Sequence, residues 1–153
     1  TVVERKSDQE LVATRTFDAA PQTVFEAWTT PDLFMRWWAP KSMGVPLLSC
    51  EMDARTGGQY RLEFGHEGAE TFGFLGRYVD VEPGSWLLWT NDERDDGGMT
   101  GVTFADKSGK TLLVYRERYP SKAALDEAFD GMAGGMAEQF GQLDELLASL
   151  GRP

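Results

Sequence analysis

The chain has 153 residues, a length that suits a single domain, 1–153, whose core needs no disulfide or metal staple. With 41% hydrophobic and 26% charged residues it has a globular composition, and no run approaches the roughly 20 apolar residues of a membrane span. A formal net charge of −10 repels phosphate backbones and anionic lipid surfaces, so no nucleic acid is expected as a partner.

The first eight residues show no basic region leading into an apolar stretch, so no secretion signal is expected and the cytoplasm is the default location. Residues 10–17 carry Val12, Thr14, Thr16 and Phe17 and end at Asp18-Ala19-Ala20-Pro21, the pattern of a strand running into a helix start. From Pro21, the spacing of Val24, Phe25 and Trp28 predicts a short amphipathic helix. Thr30-Pro31-Asp32 breaks it and restarts a second one carrying Leu33, Phe34, Trp37 and Trp38, which Pro40 closes.

The middle of the chain predicts an antiparallel meander of six strands, at residues 47–53, 59–64, 71–81, 85–91, 100–105 and 110–119. Turn chemistry separates them: Gly57-Gly58, Gly65-His66-Glu67-Gly68, Glu82-Pro83-Gly84, an acidic loop from Asp92 to Gly98, and Asp106 to Gly109. Ser121 is a good N-cap, and Leu125, Met132, Met136, Phe140, Leu143 and Leu147 then fall on one stripe of a long C-terminal helix. Its interior glycines Gly131, Gly134, Gly135 and Gly141 each cost up to about 1 kcal/mol relative to Ala, which leaves two readings open: close approach of helix to sheet, or room for a ligand. An antiparallel sheet has one face to bury, and only the terminal helix is long enough to cover it. The expected fold is therefore α+β, a helix-grip of β-α-α-β6-α order.

Chemistry is sparsely signalled. Cys50 is the one cysteine, in an apolar-leaning run that fits an inert buried thiol, and it excludes a disulfide or a thiolate metal site. His66 is the one histidine, in a hairpin turn with no nucleophile beside it. No cofactor or metal is expected. Alternation puts Tyr60, Leu62 and Phe64 on one face and Gln59, Arg61 and Glu63 on the other. It likewise sets Leu113, Tyr115 and Glu117 opposite Val114, Arg116 and Arg118. An inward Glu or Arg would orient a ligand, and cross-strand ion pairs account for them equally well. Trp86 and Trp89, three apart, face opposite sides of their strand.

Phe17-Asp18-Ala19-Ala20-Pro21, Arg36-Trp37-Trp38-Ala39-Pro40, Asp53-Ala54-Arg55-Thr56-Gly57-Gly58, Gly76-Arg77-Tyr78-Val79 and Gln142-Leu143-Asp144-Glu145-Leu146-Leu147 resemble the SRPBCC (START-like) superfamily. The nearest branch is that similar to the C-terminal domain of the activator of heat-shock protein 90 ATPase, and the likeness runs from about residue 10 to 150. The resemblance implies a helix-grip with a cavity beneath the last helix, and relatives that include lipid carriers, polyketide cyclases and chaperone co-activators. It carries over no catalytic residue. Many relatives have a Gly-Trp pair inside the last helix; this chain has Gly131-Met132 and Gly134-Gly135-Met136, which implies a larger or more adaptable cavity.

The resulting expectation is a domain that binds or carries a small hydrophobic molecule, with Trp37, Phe74, Tyr115, Met132, Met136 and Phe140 as its ligand-contacting residues. The alternatives are a cyclase- or hydratase-type enzyme on the same cavity, with Tyr115, Glu63 or Arg61 moving protons, and an interaction module acting on a chaperone ATPase. A homodimer through a sheet edge or the Trp-bearing loops is compatible with the sequence.

Overall fold

In the computed structural model, which describes residues 2–66, 68–91 and 99–150, the alternating segments become strands of one antiparallel sheet. The elements are β1 (Val2–Arg5), β2 (Glu10–Phe17), α1 (Pro21–Thr29), α2 (Pro31–Phe34), β3 (Leu47–Met52), β4 (Gln59–Phe64), β5 (Phe72–Glu82), β6 (Trp86–Asn91), β7 (Met99–Lys107), β8 (Lys110–Arg118) and α3 (Lys122–Leu150). Strand order is β1-β2-β8-β7-β6-β5-β4-β3. The seven expected strands are all present, with ends shifted by at most two residues. The α+β helix-grip is the observed architecture.

Two details differ from the sequence reading. A short edge strand, β1, precedes the expected first strand and pairs with β2 from Val2↔Thr14 to Arg5↔Leu11. The second helix ends at Phe34, and Trp37 and Trp38 follow in turns in which both their N–H groups reach back to the Phe34 carbonyl, at 3.3 and 3.1 Å. The acidic loop from Asp92 to Gly98, and Glu67 of the turn after β4, lie outside the described residues. The turn before β4 requires its glycines: Gly57 adopts φ 86°, and a Cβ on Gly58 would lie 1.9 Å from the Asp53 carbonyl oxygen.

The inner face of the sheet is apolar and α1 and α3 pack on it. Alternation buries Leu11, Ala13 and Phe17 of β2, Val102 and Phe104 of β7, and Leu113 and Tyr115 of β8. Ser121 caps α3 as expected, its Oγ accepting the Ala124 N–H at 3.1 Å.

The C-terminal half of α3 is held by more than its apolar stripe. The Gln142 side chain donates to the Trp37 and Ala39 carbonyls at 2.8 and 2.9 Å and accepts the Lys41 N–H at 2.9 Å. Gln139 donates to the Trp38 carbonyl at 2.6 Å, and Arg15 of β2 pairs with Asp144. Arg36-Trp37-Trp38-Ala39-Pro40 is thus a strap whose Trp37, Trp38 and Ala39 carbonyls end on one helix face. Replacing Gln142, itself buried, by Leu leaves these groups without partners and is expected to destabilise the fold by about 2 kcal/mol. Equilibrium urea unfolding checks this, and a loss below about 0.5 kcal/mol would mean the strap is hydrated instead.

Candidate functional site

The two halves of α3 meet the sheet differently. Beyond residue 135, Met136, Phe140 and Leu143 are fully buried and fill the space between helix and sheet. Before it, the helix turns Ala124, Ala128 and Met132 inward, and these leave a cavity of about 570 Å³. That volume lies within the range of small-molecule sites.

The cavity wall is built strand by strand from the inward positions. Tyr60, Leu62 and Phe64 come from β4, Phe74 and Tyr78 from β5, Leu87 and Trp89 from β6, and Thr100, Tyr115 and Glu117 from β7 and β8. Trp28, Phe34 and Trp38 close it from the helical side. The rings pack stacked and tilted: Phe34 lies on Trp38 at 4.7 Å, and Trp28 stands 6.1 Å from Trp89 and 6.4 Å from Tyr115. The most exposed wall residues are Arg118 and Glu127, which mark the rim. Among the described residues, the Trp28 indole N–H is the buried side-chain polar group without a hydrogen-bond partner.

Of the six residues expected to contact a ligand, Phe74, Tyr115 and Met132 line this cavity. Trp37, Met136 and Phe140 do not; they are at most 2% exposed and sit in the solid core beside it. Trp37 is turned away by its own hydrogen bond, Nε1 donating to the Ala27 carbonyl at 2.9 Å, and its neighbour Trp38 takes the wall position. Thr100 and Tyr119 are wall residues that the sequence reading did not single out, although continuing the alternation of β7 and β8 by one step reaches both. Trp86 and Trp89 do face opposite sides: Trp89 lines the cavity, while Trp86 is exposed and donates to Asp80 at 3.1 Å. Arg61 is exposed on the outer face, Glu63 accepts a bond from Thr71 there at 2.9 Å, and His66 is exposed in its turn.

The glycines of α3 are decided by geometry. A Cβ on Gly131, Gly134, Gly135 or Gly141 would meet nothing within 4 Å, so none of them serves close approach to the sheet.

Burial, reinforced by the Glu117 carboxylate, holds the Tyr115 phenol well above the usual tyrosine range, and burial raises Tyr78 as well. The folded protein therefore keeps protons that the unfolded chain releases above about pH 10. Stability is expected to be level below that pH and to fall as pH rises through it toward the folded values. Urea midpoints measured from pH 8 to 11 check the sign; a midpoint rising above pH 10 would contradict it. Cys50 is pushed up to about 11, by burial first and then by Glu51. It is expected to react slowly with iodoacetamide at pH 8 and to accelerate only as pH approaches 11. A rate at pH 8 equal to that of free cysteine would contradict this.

The comparisons agree with this geometry. The sequence matches the family described as "Activator of Hsp90 ATPase homolog 1-like protein" over residues 18–148. No protein of curated function matches it. Among solved structures, a Rhodobacter sphaeroides protein superposes with a TM-score of 0.88 at 26% identity, over 97% of this chain and 98% of its own. Protein NE0264 from Nitrosomonas europaea gives 0.85 at 18% identity, over 95% and 98%. An AHSA1-like protein from Aeromonas hydrophila gives 0.72 at 21% identity, over 88% and 92%. With the family match spanning most of its length and the sheet, strap and long helix in place, the chain belongs to the activator of Hsp90 ATPase homolog 1-like family of the SRPBCC superfamily.

Proposed function

We propose that this protein binds a small hydrophobic molecule in the cavity between the sheet and the first half of α3. The observation that carries this reading is the 570 Å³ space itself, walled by aromatic side chains from four strands and the helical pair. A void of this size beneath a helix forfeits packing contacts, a cost that a purely structural domain would remove by filling it. Here the residues of α3 that line it are small or flexible, Ala124, Ala128 and Met132, with Glu127 at the rim, while beyond residue 135 the helix buries Met136, Phe140 and Leu143 against the sheet. Trp28, Trp38 and Trp89 all stand on the wall, so occupancy is reported by their fluorescence.

Native mass spectrometry of the protein as purified from cells, followed by denaturation and identification of the released compound, tests this reading. A stoichiometric apolar molecule is the expected result, accompanied by a rise in melting temperature when it is added back to the stripped protein. An empty protein whose Trp emission and melting temperature respond to no apolar compound would overturn it.

A further inference from the structure

The outer face of the sheet, opposite the helices, carries a second concentration of apolar surface. An antiparallel sheet packed on one side ordinarily turns polar residues to the other. Here Leu75 and Val79 of β5, Trp86 of β6 and Met99 of β7 stand on the outer face and are 40% or more exposed. A groove of about 230 Å³ crosses this face, with Asp80 at one end, Arg116 at the other, and Leu88, Gly101 and Thr103 between them.

Gly101 opens the groove. Glycine inside a strand gives up side-chain packing and marks places where another backbone comes close. The protomer itself does not require it. Its φ is not positive, and a Cβ there would meet Leu88 Cδ1 at 3.5 Å and the Leu87 carbonyl oxygen at 3.8 Å, both ordinary contacts.

The face is also complementary to itself. Strand register carries Asp80, Leu88, Gly101 and Arg116 across β5, β6, β7 and β8 in one row. A two-fold axis parallel to the strands, between β6 and β7, turns that row end for end. Asp80 of one copy then lies opposite the partner's Arg116, and Leu88 opposite the partner's Gly101, each pair occurring twice as a two-fold contact requires. The adjoining row sets Trp86 opposite the partner's Thr103. Toward the other end of the strands Arg77 falls opposite the partner's Arg118, which confines the contact to the rows of Asp80 and Trp86. Within the protomer Asp80 accepts the Trp86 indole N–H and the Thr56 hydroxyl, and Arg116 meets Glu10 at 3.3 Å. A carboxylate and a guanidinium each have capacity for a further partner.

We infer that two copies of this chain associate face to face through the outer surface of β5–β8, Leu88 of each entering the groove at Gly101 of the other, with an Asp80–Arg116 ion pair on either side. Sheets stack about 10 Å apart in this manner. An interface of two rows is small and dissociates at micromolar concentrations. The inference is independent of what the cavity holds, because the cavity lies on the opposite face of the sheet.

Sedimentation velocity of the purified protein tests it, at about 1–200 μM to bracket a weak interface and in about 0.15 M salt, which screens the long-range repulsion of like-charged chains. A concentration-dependent equilibrium between monomer and dimer is expected. Gly101→Thr suits a strand, so it is expected to leave the urea midpoint of dilute monomer unchanged or higher while weakening the dimer by about tenfold or more. Asp80→Arg and Arg116→Asp, each placing like charges opposite one another, are each expected to remain monomeric. An equimolar mixture of the two is expected to dimerise, because every facing pair in the mixed dimer is again opposite in sign, a recovery that damage to the fold would not give. A wild-type protein that stays monomeric throughout, a dimer untouched by Gly101→Thr or by the charge reversals, or a mixture no more associated than its components would overturn the interface.

Discussion

Replacing Gly76 by Ala is expected to destabilise the protein by about 4 kcal/mol, from overpacking of about 1–3 and a disturbed buried hydrogen bond of about 1–3 kcal/mol. Gly76 is the register partner of Tyr60 across β4 and β5. The Tyr60 ring lies over it and reaches past β5 to β6, where its hydroxyl donates to the Thr90 carbonyl at 2.9 Å. A Cβ at residue 76 would stand 2.6 Å from that hydroxyl, 2.7 Å from the ring and 2.0 Å from the Thr90 carbonyl oxygen. Both the ring and the backbone of β6 would have to give way, and the ring has the cavity to move into. The variant is therefore expected to lose cavity volume as well as stability, with a lower affinity for any cavity ligand. Tyr60→Phe is the control: it removes the hydroxyl without the clash and is expected to cost about 1 kcal/mol. Denaturant unfolding of both variants separates the two contributions. If Gly76→Ala lost no more than Tyr60→Phe, the clash would be relieved by movement of β5, and the crossing of Tyr60 would not be the reason for the glycine.

Much of the fold is legible in the sequence because its signals are local. Alternation in residues 59–64 and 110–118 sets the inner face, and the Ser121 cap and the stripe from Leu125 to Leu147 define α3. β1 is the exception. Val2-Val3-Glu4-Arg5 is too short and too charged to alternate, and it is a strand because β2 offers it an open edge. The cavity was less legible for the same kind of reason. Met132, Met136 and Phe140 share one stripe at four-residue spacing, and nothing in that spacing says where along the helix contact with the sheet begins. That boundary is set by distant partners: the strap of residues 36–40 bonded to Gln139 and Gln142, and Arg15 on Asp144. Trp37 and Trp38 are adjacent, and only the acceptor that Ala27 supplies decides which indole turns into the core. Thr100 and Glu117 come side by side on the cavity wall through strand register, which a single sequence does not state.

The opposite sign is expected for the glycines of α3. Gly131, Gly134 and Gly135 lie within the helix where the packed half gives way to the half over the cavity, and a methyl group on any of them would enter open space. Each interior Gly→Ala exchange then returns backbone entropy without a clash, up to about 1 kcal/mol apiece, so the triple variant is expected to gain about 2–3 kcal/mol. For a chain of this size that corresponds to a melting temperature higher by about 5–10 °C. The effect has a location. The half of α3 after the glycines is fixed by Glu138 on Ser42, by Gln139 and Gln142 on the strap, and by Asp144 on Arg15. The half before them is held by buried Leu125, by the Arg5–Asp126 ion pair at 2.7 Å and by Arg5 over the Phe129 ring, the last two being contacts with the short edge strand β1. Local opening is easiest where buried contacts are few, so amide exchange in native wild-type protein is expected to be faster in residues 124–131 than in residues 138–147. In the triple variant that difference narrows, because helix propensity has been restored where packing is thin. A triple variant no more stable than wild type, or exchange that is uniform along α3 before substitution, would show that the glycines are not the weak point of the helix and that the two halves behave as one rigid body.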